Sequence, residues 1–138
     1  MPKLFLDANI WIAASASATG GSAFILQACR EGHFQAIATE LILYEAEKNI
    51  TAKLNQNALS RFHKLLETIP VKIHPPAVTL DQYQNLIDPK DAHVLASAIE
   101  SQSDFLITLD RQHFFSSKIQ AANLPIRILT PKDFILSR

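Results

Sequence analysis

The sequence predicts an α/β fold, a three-layer sandwich in which helices cover both faces of a central parallel sheet of about five strands. The chain has 138 residues, the size of one ordinary domain. Apolar residues make up 48% of it and charged residues 19%, which is typical of a globular protein. Short apolar runs alternate with longer segments of helical periodicity, and this alternation is typical of parallel strands joined by right-handed crossovers.

The first half of the chain contains three predicted strands with helices between them. The strands are the apolar runs at residues 4–6, 34–38 and 71–73. Helical segments are predicted from about residue 10, over 22–31, and from residue 39 to about 54. Thr39 is suited to cap the third of these, and Gly32 ends the second. A further helix, ended by Pro70, is indicated by an apolar stripe at helical spacing: Leu59, Phe62, Leu65, Leu66 and Ile69.

The second half repeats the alternation. Two more strands are predicted at residues 105–109 and 126–129. Helices are predicted over 80–87, 90–101 and 112–122, with a last helical turn from residue 131. Asp88 and Pro89 are suited to the cap and first position of the helix over 90–101. Because no repeat or linker interrupts the pattern, we expect residues 1–138 to form a single domain.

Charge and cysteine content restrict the partners and the compartment. Thirteen basic and thirteen acidic side chains cancel, so attraction to nucleic acid must come from a local patch or a metal. Cys29 is the only cysteine, and its apolar helical surroundings predict a buried thiol in a reducing compartment. Asp7 and Asn9 divide the N-terminal apolar residues into pieces too short for a secretory signal, and no run is long enough to span a membrane. We therefore expect a soluble cytoplasmic protein.

Two predicted strands each run directly into an aspartate. Asp7 follows the strand at 4–6, and Asp110 follows the strand at 105–109. In an open parallel sheet the ligand crevice lies outside the carboxyl ends of the strands, where the strand order reverses. These two carboxylates are therefore expected to share one cleft. The alternative is that each is only a turn or cap residue after its strand.

Two acids near the predicted helix over 90–101 have ordinary structural roles available. Asp88 is the expected N-cap. Asp91 lies in the first turn, where a carboxylate stabilises the helix by about 0.3 to 1 kcal/mol through the helix dipole. Spacing alone therefore explains Asp91 without chemistry.

Glu45 lies within the helix that Thr39 caps. Leu41 and Ile42 stand four and three residues before it, so we expect the face that carries Glu45 to turn partly inward. A surface ion pair with Lys48 would explain the residue equally well.

Four segments resemble, in order, the motifs of PIN-domain nucleases. They are residues 5–9 (FLDAN), 43–45 (LYE), 91–98 (DAHVLASA) and 107–110 (ITLD). The resemblance implies that Asp7, Glu45, Asp91 and Asp110 form the metal site and carry the catalysis. It covers the whole chain, and the segment at 128–134 is similar to the end of bacterial toxin-antitoxin PIN proteins, which are typically RNA endonucleases. The implied protein is an endoribonuclease toxin that forms a homodimer and binds a cognate antitoxin.

Converging carboxylates require a cation, because two of them about 4 Å apart repel by roughly 4 kcal/mol at an effective dielectric near 20. Oxygen ligands favour Mg²⁺ or Mn²⁺, whereas zinc prefers histidine or thiolate. His93 lies two residues past Asp91, and a helical step of two turns it away from that acid. We expect all the histidines to be non-ligands, because their spacing shows no ligand pattern: His33, His63, His74, His93 and His113.

Auxiliary roles are possible for three more side chains near the predicted strand ends. Asn9 and Thr108 can act as neutral ligands or orienting groups, or simply as a helix-start cap and a strand residue. Arg111 directly follows Asp110 and is a candidate phosphate anchor, with a solvated surface arginine as the alternative. Asp88 is an additional acid near the predicted site.

The predicted reaction is metal-assisted hydrolysis of RNA phosphodiester bonds. One alternative is a catalytically silent PIN-like module that works through a protein partner. Another is a phosphoryl-transfer protein, either a haloacid-dehalogenase-like phosphatase or a receiver domain, since both place an aspartate after the first strand. The phosphatase requires Asp-x-Asp, whereas this chain has Asp7, Ala8 and Asn9, and no clear lysine near the end of a late strand completes a receiver site.

Overall fold

A five-stranded, entirely parallel sheet forms the centre of the computed structural model, which describes all 138 residues. The strands are β1 (Lys3–Leu6), β2 (Gln35–Thr39), β3 (Val71–His74), β4 (Phe105–Ile107) and β5 (Arg127–Leu129). Their spatial order is β3-β2-β1-β4-β5, so the order reverses between β1 and β4. The predicted fold class is confirmed.

Helices connect the strands and cover the sheet. They are α1 (Ala8–Ala16), α2 (Gly21–Arg30), α3 (Glu40–Lys53), α4 (Gln56–Thr68), α5 (Ala92–Glu100), α6 (Arg111–Phe114), α7 (Ser117–Ala121) and α8 (Pro131–Leu136). Single 3₁₀ turns lie at Leu80–Gln82 and Pro89–Asp91. Thr39 caps α3 as predicted, because its hydroxyl accepts a hydrogen bond of 3.1 Å from the Ile42 N–H.

The register of β1 against β4 positions the carboxyl ends of both strands. Leu6 pairs with Ile107, so the next residues along the two strands, Asp7 and Thr108, lie side by side. Leu6 and Ile107 have no solvent exposure, and they belong to one continuous hydrophobic core. The strand ends are therefore held by the most deeply buried part of the molecule.

Two predicted helices are wrong in extent. The segment over 80–87 forms only one 3₁₀ turn, and its few apolar side chains, such as Tyr83 and Ile87, pack individually into the core. So short a segment cannot offset the cost of helix nucleation by itself. The predicted helix over 112–122 divides into α6 and α7, because the Ser116 hydroxyl caps a new helix by accepting from the Ile119 N–H.

Smaller boundary differences lie next to the acids. The strand predicted to reach residue 109 ends at Ile107, because the Leu109 N–H donates to the Asn9 side chain instead of a neighbouring strand. The helix predicted from residue 90 begins at Ala92, because Asp91 still belongs to a 3₁₀ turn. At Leu109 a side chain at the carboxyl edge of the sheet thus replaces a regular backbone hydrogen bond, whereas the Asp91 N–H keeps a backbone acceptor, the carbonyl of Asp88.

Cys29 is packed inside the protein, as predicted. Its side chain belongs to the core, and burial raises the pKa of the thiol to about 12. None of the helices has the length and apolar character needed to cross a membrane.

Candidate active site

Asp7 divides its two carboxylate oxygens between a structural and a site-facing role. Oδ1 accepts a hydrogen bond of 2.7 Å from the Ala8 N–H and so caps α1. Oδ2 accepts the Thr108 hydroxyl at 2.9 Å and the Asn9 side-chain amide at 3.2 Å. The capping alternative considered for this residue is therefore correct for one oxygen, while the other faces the end of β4.

Thr108 joins the ends of β1 and β4 through a single hydroxyl. It donates to Asp7 and accepts from the Asp110 N–H at 3.1 Å and from the Asn9 amide at 3.2 Å, so its one donor and two acceptor positions are all used. Asn9 completes the link because its Oδ1 accepts the Leu109 N–H at 3.0 Å. This network brings Asp7 and Asp110 to the same edge of the sheet, at the reversal of strand order.

Asp110 and Asp91 both approach the same imidazole nitrogen. Asp110 Oδ2 is 2.7 Å from His113 Nδ1, and Asp91 Oδ2 is 3.4 Å from the same atom. The other Asp110 oxygen accepts the His113 N–H at 3.1 Å and caps α6. One ligand atom from each of the three residues lies within 4.8 Å of the others, which is a separation that one metal ion can bridge.

His113 therefore belongs to the acidic cluster, although the spacing of the five histidines predicts that none of them is a ligand. The expectation rested on the absence of paired histidines. The signal that would have found this residue is its position three residues after Asp110, which places both side chains on one face at the start of a helix.

Burial raises the pKa values of Asp7 and Asp91, and the neighbouring donors and positive charges offset this only in part. Asp91 Oδ2 is buried and accepts no hydrogen bond. Burial raises the pKa of Asp91, the neighbouring His113 lowers it, and the charge of Asp110 raises it further. A buried carboxylate oxygen without a hydrogen bond is costly, so this atom, 3.4 Å from His113 Nδ1, is the clearest indication that a further positive partner binds here.

Burial also raises the pKa of Asp7, to about 6, although hydrogen bonds from Thr108 and Ala8 lower it. The negative charges of Asp91 and Glu45 both raise this pKa. Asp7 thus interacts with Asp91 and Glu45, and Asp91 interacts with Asp110. The carboxylates nominated from sequence form one electrostatically connected group.

Glu45 lies at the border between the buried and exposed faces of α3. Its Oε1 is 3.2 Å from His93 Nε2, and the side chain is 39% exposed. Ile42 is fully buried, but Leu41 is 47% exposed. The prediction that Leu41 and Ile42 both mark an inward face beside Glu45 is therefore wrong for Leu41. Successive helical residues are about 100° apart, and here the boundary of the core falls between those two.

The structure also shows the contacts of Glu45 and Asp88, for which the sequence left two roles open. Glu45 contacts the imidazole of His93 and forms no ion pair with Lys48. Asp88 remains exposed and accepts the Lys90 N–H at 3.1 Å, so it starts the 3₁₀ turn and does not join the cluster of Asp91, Asp110 and His113.

The donor set fits a hard divalent cation. Carboxylate oxygens are the ligands that Mg²⁺ and Mn²⁺ prefer, and an imidazole nitrogen is more often found on transition metals than on Mg²⁺. A cation between Asp91 and Asp110 would give the unpaired Asp91 oxygen its partner and would relieve the repulsion between the two carboxylates. His113, when protonated, lies against both carboxylates, and the charge of Lys90 also lowers the pKa of Asp91.

A model of the PIN domain matches residues 3–112, a range that contains the four acids, and the chain therefore belongs to the PIN-domain family. Members of this family are nucleases that generally use divalent metals. The resemblance read from the sequence motifs is confirmed at this level. A search of curated proteins finds no match.

Solved structures with the same fold include proteins of toxin-antitoxin systems. VapBC2 from Rickettsia felis, solved bound to a DNA fragment from their promoter, has a TM-score of 0.64 at 13% identity and covers 93% of this chain and 98% of its own. VapC20 of Mycobacterium tuberculosis, a sarcin-ricin loop cleaving toxin, has a TM-score of 0.60 at 12% identity, covering 88% and 95%. PAE2754 from Pyrobaculum aerophilum has a TM-score of 0.57 at 17% identity, covering 99% and 96%. Identities this low establish a shared fold over nearly the full length of each chain.

Proposed function

We propose that this protein is a divalent-metal-dependent endoribonuclease and the toxin component of a toxin-antitoxin pair. The observation that carries the proposal is the buried Asp91 oxygen without a hydrogen-bond partner, which lies in a cluster of carboxylates in a chain of the PIN-domain family. The fold that it shares with VapC20 supports RNA as the substrate class.

Asp7, Asp91 and Asp110 would hold Mg²⁺ or Mn²⁺ directly. A bound divalent ion supplies a water of lowered pKa and neutralises charge that develops on the leaving oxygen. Glu45 is more exposed than the three aspartates and would hold the ion through water or accept the proton of the attacking water. Thr108 orients Asp7, and Asn9 fixes the distance between the two strand ends.

The proposed hydrolysis forms a bond between a water oxygen and phosphorus and breaks the bond between phosphorus and the 3′ oxygen. Glu45 takes the proton of the water, and the leaving oxygen takes a proton from solvent. The products carry a 5′-phosphate and a 3′-hydroxyl. Arg111 is exposed and forms no ion pair, so it is available to hold a substrate phosphate near Asp110.

The direct test is cleavage of end-labelled single-stranded and hairpin RNA by purified protein, with Mg²⁺, with Mn²⁺ and with EDTA. We expect cleavage only with metal, 5′-phosphate product ends, and at least a hundredfold loss of rate in Asp91→Asn. Asp81→Asn is the matched control, because Asp81 is exposed and lies outside the cluster. Cleavage in EDTA, full activity of Asp91→Asn, or product ends with a 2′,3′-cyclic phosphate would contradict the proposal.

The toxin role requires an inhibitory partner, and the presence of VapB with VapC in the Rickettsia felis structure supports one. We propose a cognate antitoxin encoded beside this gene and a homodimeric toxin. Induced expression should arrest bacterial growth, Asp91→Asn should abolish the arrest, and co-expression of the adjacent gene should relieve it. Full growth on expression of a protein that cleaves RNA in vitro would contradict the toxin role alone, and light scattering tests the dimer.

A further inference from the structure

A groove of about 350 Å³ lies between the N-terminus of α2 and the start of α8, next to the acidic cluster. Leu109 and Arg111, the neighbours of Asp110 in the chain, line it, and the Leu109 N–H is held by Asn9. Lys132 lines its other side. Arg111 and Lys132 form no ion pair, and none of the residues that line the groove is acidic. A groove lined by two basic side chains therefore adjoins the acidic cluster.

The N-terminus of α2 contributes backbone donors to this groove. Gly20 is the N-cap residue and provides no side-chain hydrogen bond. The first backbone N–H of α2 that donates to a carbonyl of the helix start is that of Phe24, which bonds the Gly20 carbonyl at 3.0 Å. The N–H groups of Gly21, Ser22 and Ala23 are therefore free, and they carry the positive end of the dipole of a ten-residue helix. Gly20 and Gly21 both line the groove.

Ser22 supplies an independent indication of a ligand. The residue is only 5% exposed and lines the groove, yet its hydroxyl forms no hydrogen bond within the protein. Most of the Ser22 side chain is buried, but its hydroxyl oxygen is still reached from the groove, so the hydrogen-bond partner of this hydroxyl must come from whatever occupies the groove. Free N–H groups, a free hydroxyl and two free cations are all donors, which is the complement of a phosphate group.

We propose that this groove is a subsite for a backbone phosphate of the RNA, held by Ser22, the α2 N-terminus, Arg111 and Lys132. The inference rests on the proposed endoribonuclease function, because it names how the substrate strand is gripped beside the carboxylates. The neutral net charge of the protein gives no general attraction to RNA, so a local subsite of this kind would supply it.

The sharpest test replaces Gly20. Its dihedral angles (φ −79°, ψ 176°) suit any residue, and an added Cβ would meet nothing closer than Ser17 Oγ at 3.9 Å. Asp and Asn at an N-cap both bond the free N–H groups and should raise the Tm equally in buffer without phosphate. Only Gly20→Asp places a negative charge where the phosphate binds. We expect its affinity for RNA to fall at least tenfold and that of Gly20→Asn to change less than threefold.

A second pair of variants tests the cations. Lys132→Gln should weaken binding of a fluorescent single-stranded oligoribonucleotide in EDTA and reduce the slope of log K against log salt by about 0.7, the value for one phosphate contact. Lys53→Gln is the matched control, because Lys53 is an exposed lysine in the last turn of α3. EDTA prevents metal-dependent cleavage, and the carboxylates repel RNA equally in both variants.

Inorganic phosphate separates the possible occupants of the groove. It should raise the Tm of the wild type more than that of Gly20→Asp at equal ionic strength. If it does so while all variants bind RNA like the wild type, the groove holds free phosphate and the RNA assignment is overturned. Equal responses of wild type and Gly20→Asp to both ligands overturn the subsite altogether. If the variants behave as expected but the wild type never cleaves RNA with metal, the subsite stands and the endoribonuclease proposal fails.

Discussion

Replacing Asp7 with Asn is expected to stabilise the metal-free protein at neutral pH. Burial raises the pKa of Asp7 from 3.8 to about 6, so the folded protein favours the protonated carboxyl. Between these values the native state binds more protons than the unfolded state, and the free energy of unfolding falls as the pH rises through that window. About two pKa units at 1.36 kcal/mol each correspond to a loss of about 3 kcal/mol above pH 6. Asn is neutral at every pH and carries no such cost.

The substitution also removes part of the hydrogen bonding. An amide NH₂ group at the position of Asp7 Oδ2 would face two donors, the Thr108 hydroxyl and the Asn9 amide, both of which now donate to that oxygen. We take this loss as about 1 to 2 kcal/mol. The net gain at pH 7.5 is then about 1 to 2 kcal/mol, or about 3 to 7 °C in Tm for 138 residues. At pH 4 only the loss remains, so the variant should be less stable than the wild type.

Thermal unfolding of both proteins in EDTA at pH 4 and pH 7.5 measures the change of sign. Asp81→Asn is the matched control, since Asp81 is exposed and should show little difference at either pH. Added Mn²⁺ should stabilise the wild type and not Asp7→Asn. A variant less stable than the wild type at pH 7.5, or an equal difference at the two pH values, would refute the reasoning.

Two further substitutions test the network around the carboxylates. Thr108→Val keeps the shape of a fully buried side chain but leaves the Asp110 N–H without its acceptor and removes one of the donors to the Asp7 carboxylate, so the free energy of unfolding in urea should fall by about 2 to 3 kcal/mol. A loss below about 0.5 kcal/mol would show that the hydroxyl does not hold the strand ends together. The hydrogen bond to Asp110 raises the pKa of His113, so the imidazolium contributes stability that is fully present below its ordinary pKa of 6.5 and is lost as the pH rises through the raised value. His113→Gln should therefore lower the Tm of the metal-free protein at pH 6 and have a smaller effect at pH 9, and a loss that does not depend on pH would contradict a charged partner for Asp91 and Asp110.

Much of the fold can be predicted from the sequence, because its strands are short apolar runs bounded by residues that favour turns and caps. Parallel strand direction places Asp7 and Asp110 at the same edge of the sheet, since both acids come after strands, and the adjacency of β1 and β4 makes them neighbours there. Where prediction failed, as over 80–87 and 112–122, helical periodicity is carried by few apolar residues. There a single cap such as Ser116 or individual packing of Tyr83 decides the local structure.

The site is less predictable than the fold, because its contacts join residues that are remote in sequence. Thr108 reads as an ordinary strand residue until the register of β1 against β4 places its hydroxyl between Asp7 and the Asp110 N–H. Glu45 meets His93 only because α3 and α5 bring them to 3.2 Å. His113 depends on a four-residue helix that turns its ring back toward Asp110. Motif resemblance nominated the carboxylates, but it contained no information about their partners.

Calorimetric titration of the protein with Mn²⁺ at pH 7.5 tests most directly whether the carboxylates form a cation site. We expect saturable binding to the wild type, an affinity at least about tenfold lower in Asp91→Asn because the unpaired buried oxygen is lost, and no change in Asp81→Asn. Absence of saturable binding to the wild type, or equal affinity in Asp91→Asn, would contradict a metal centre at the ends of β1 and β4.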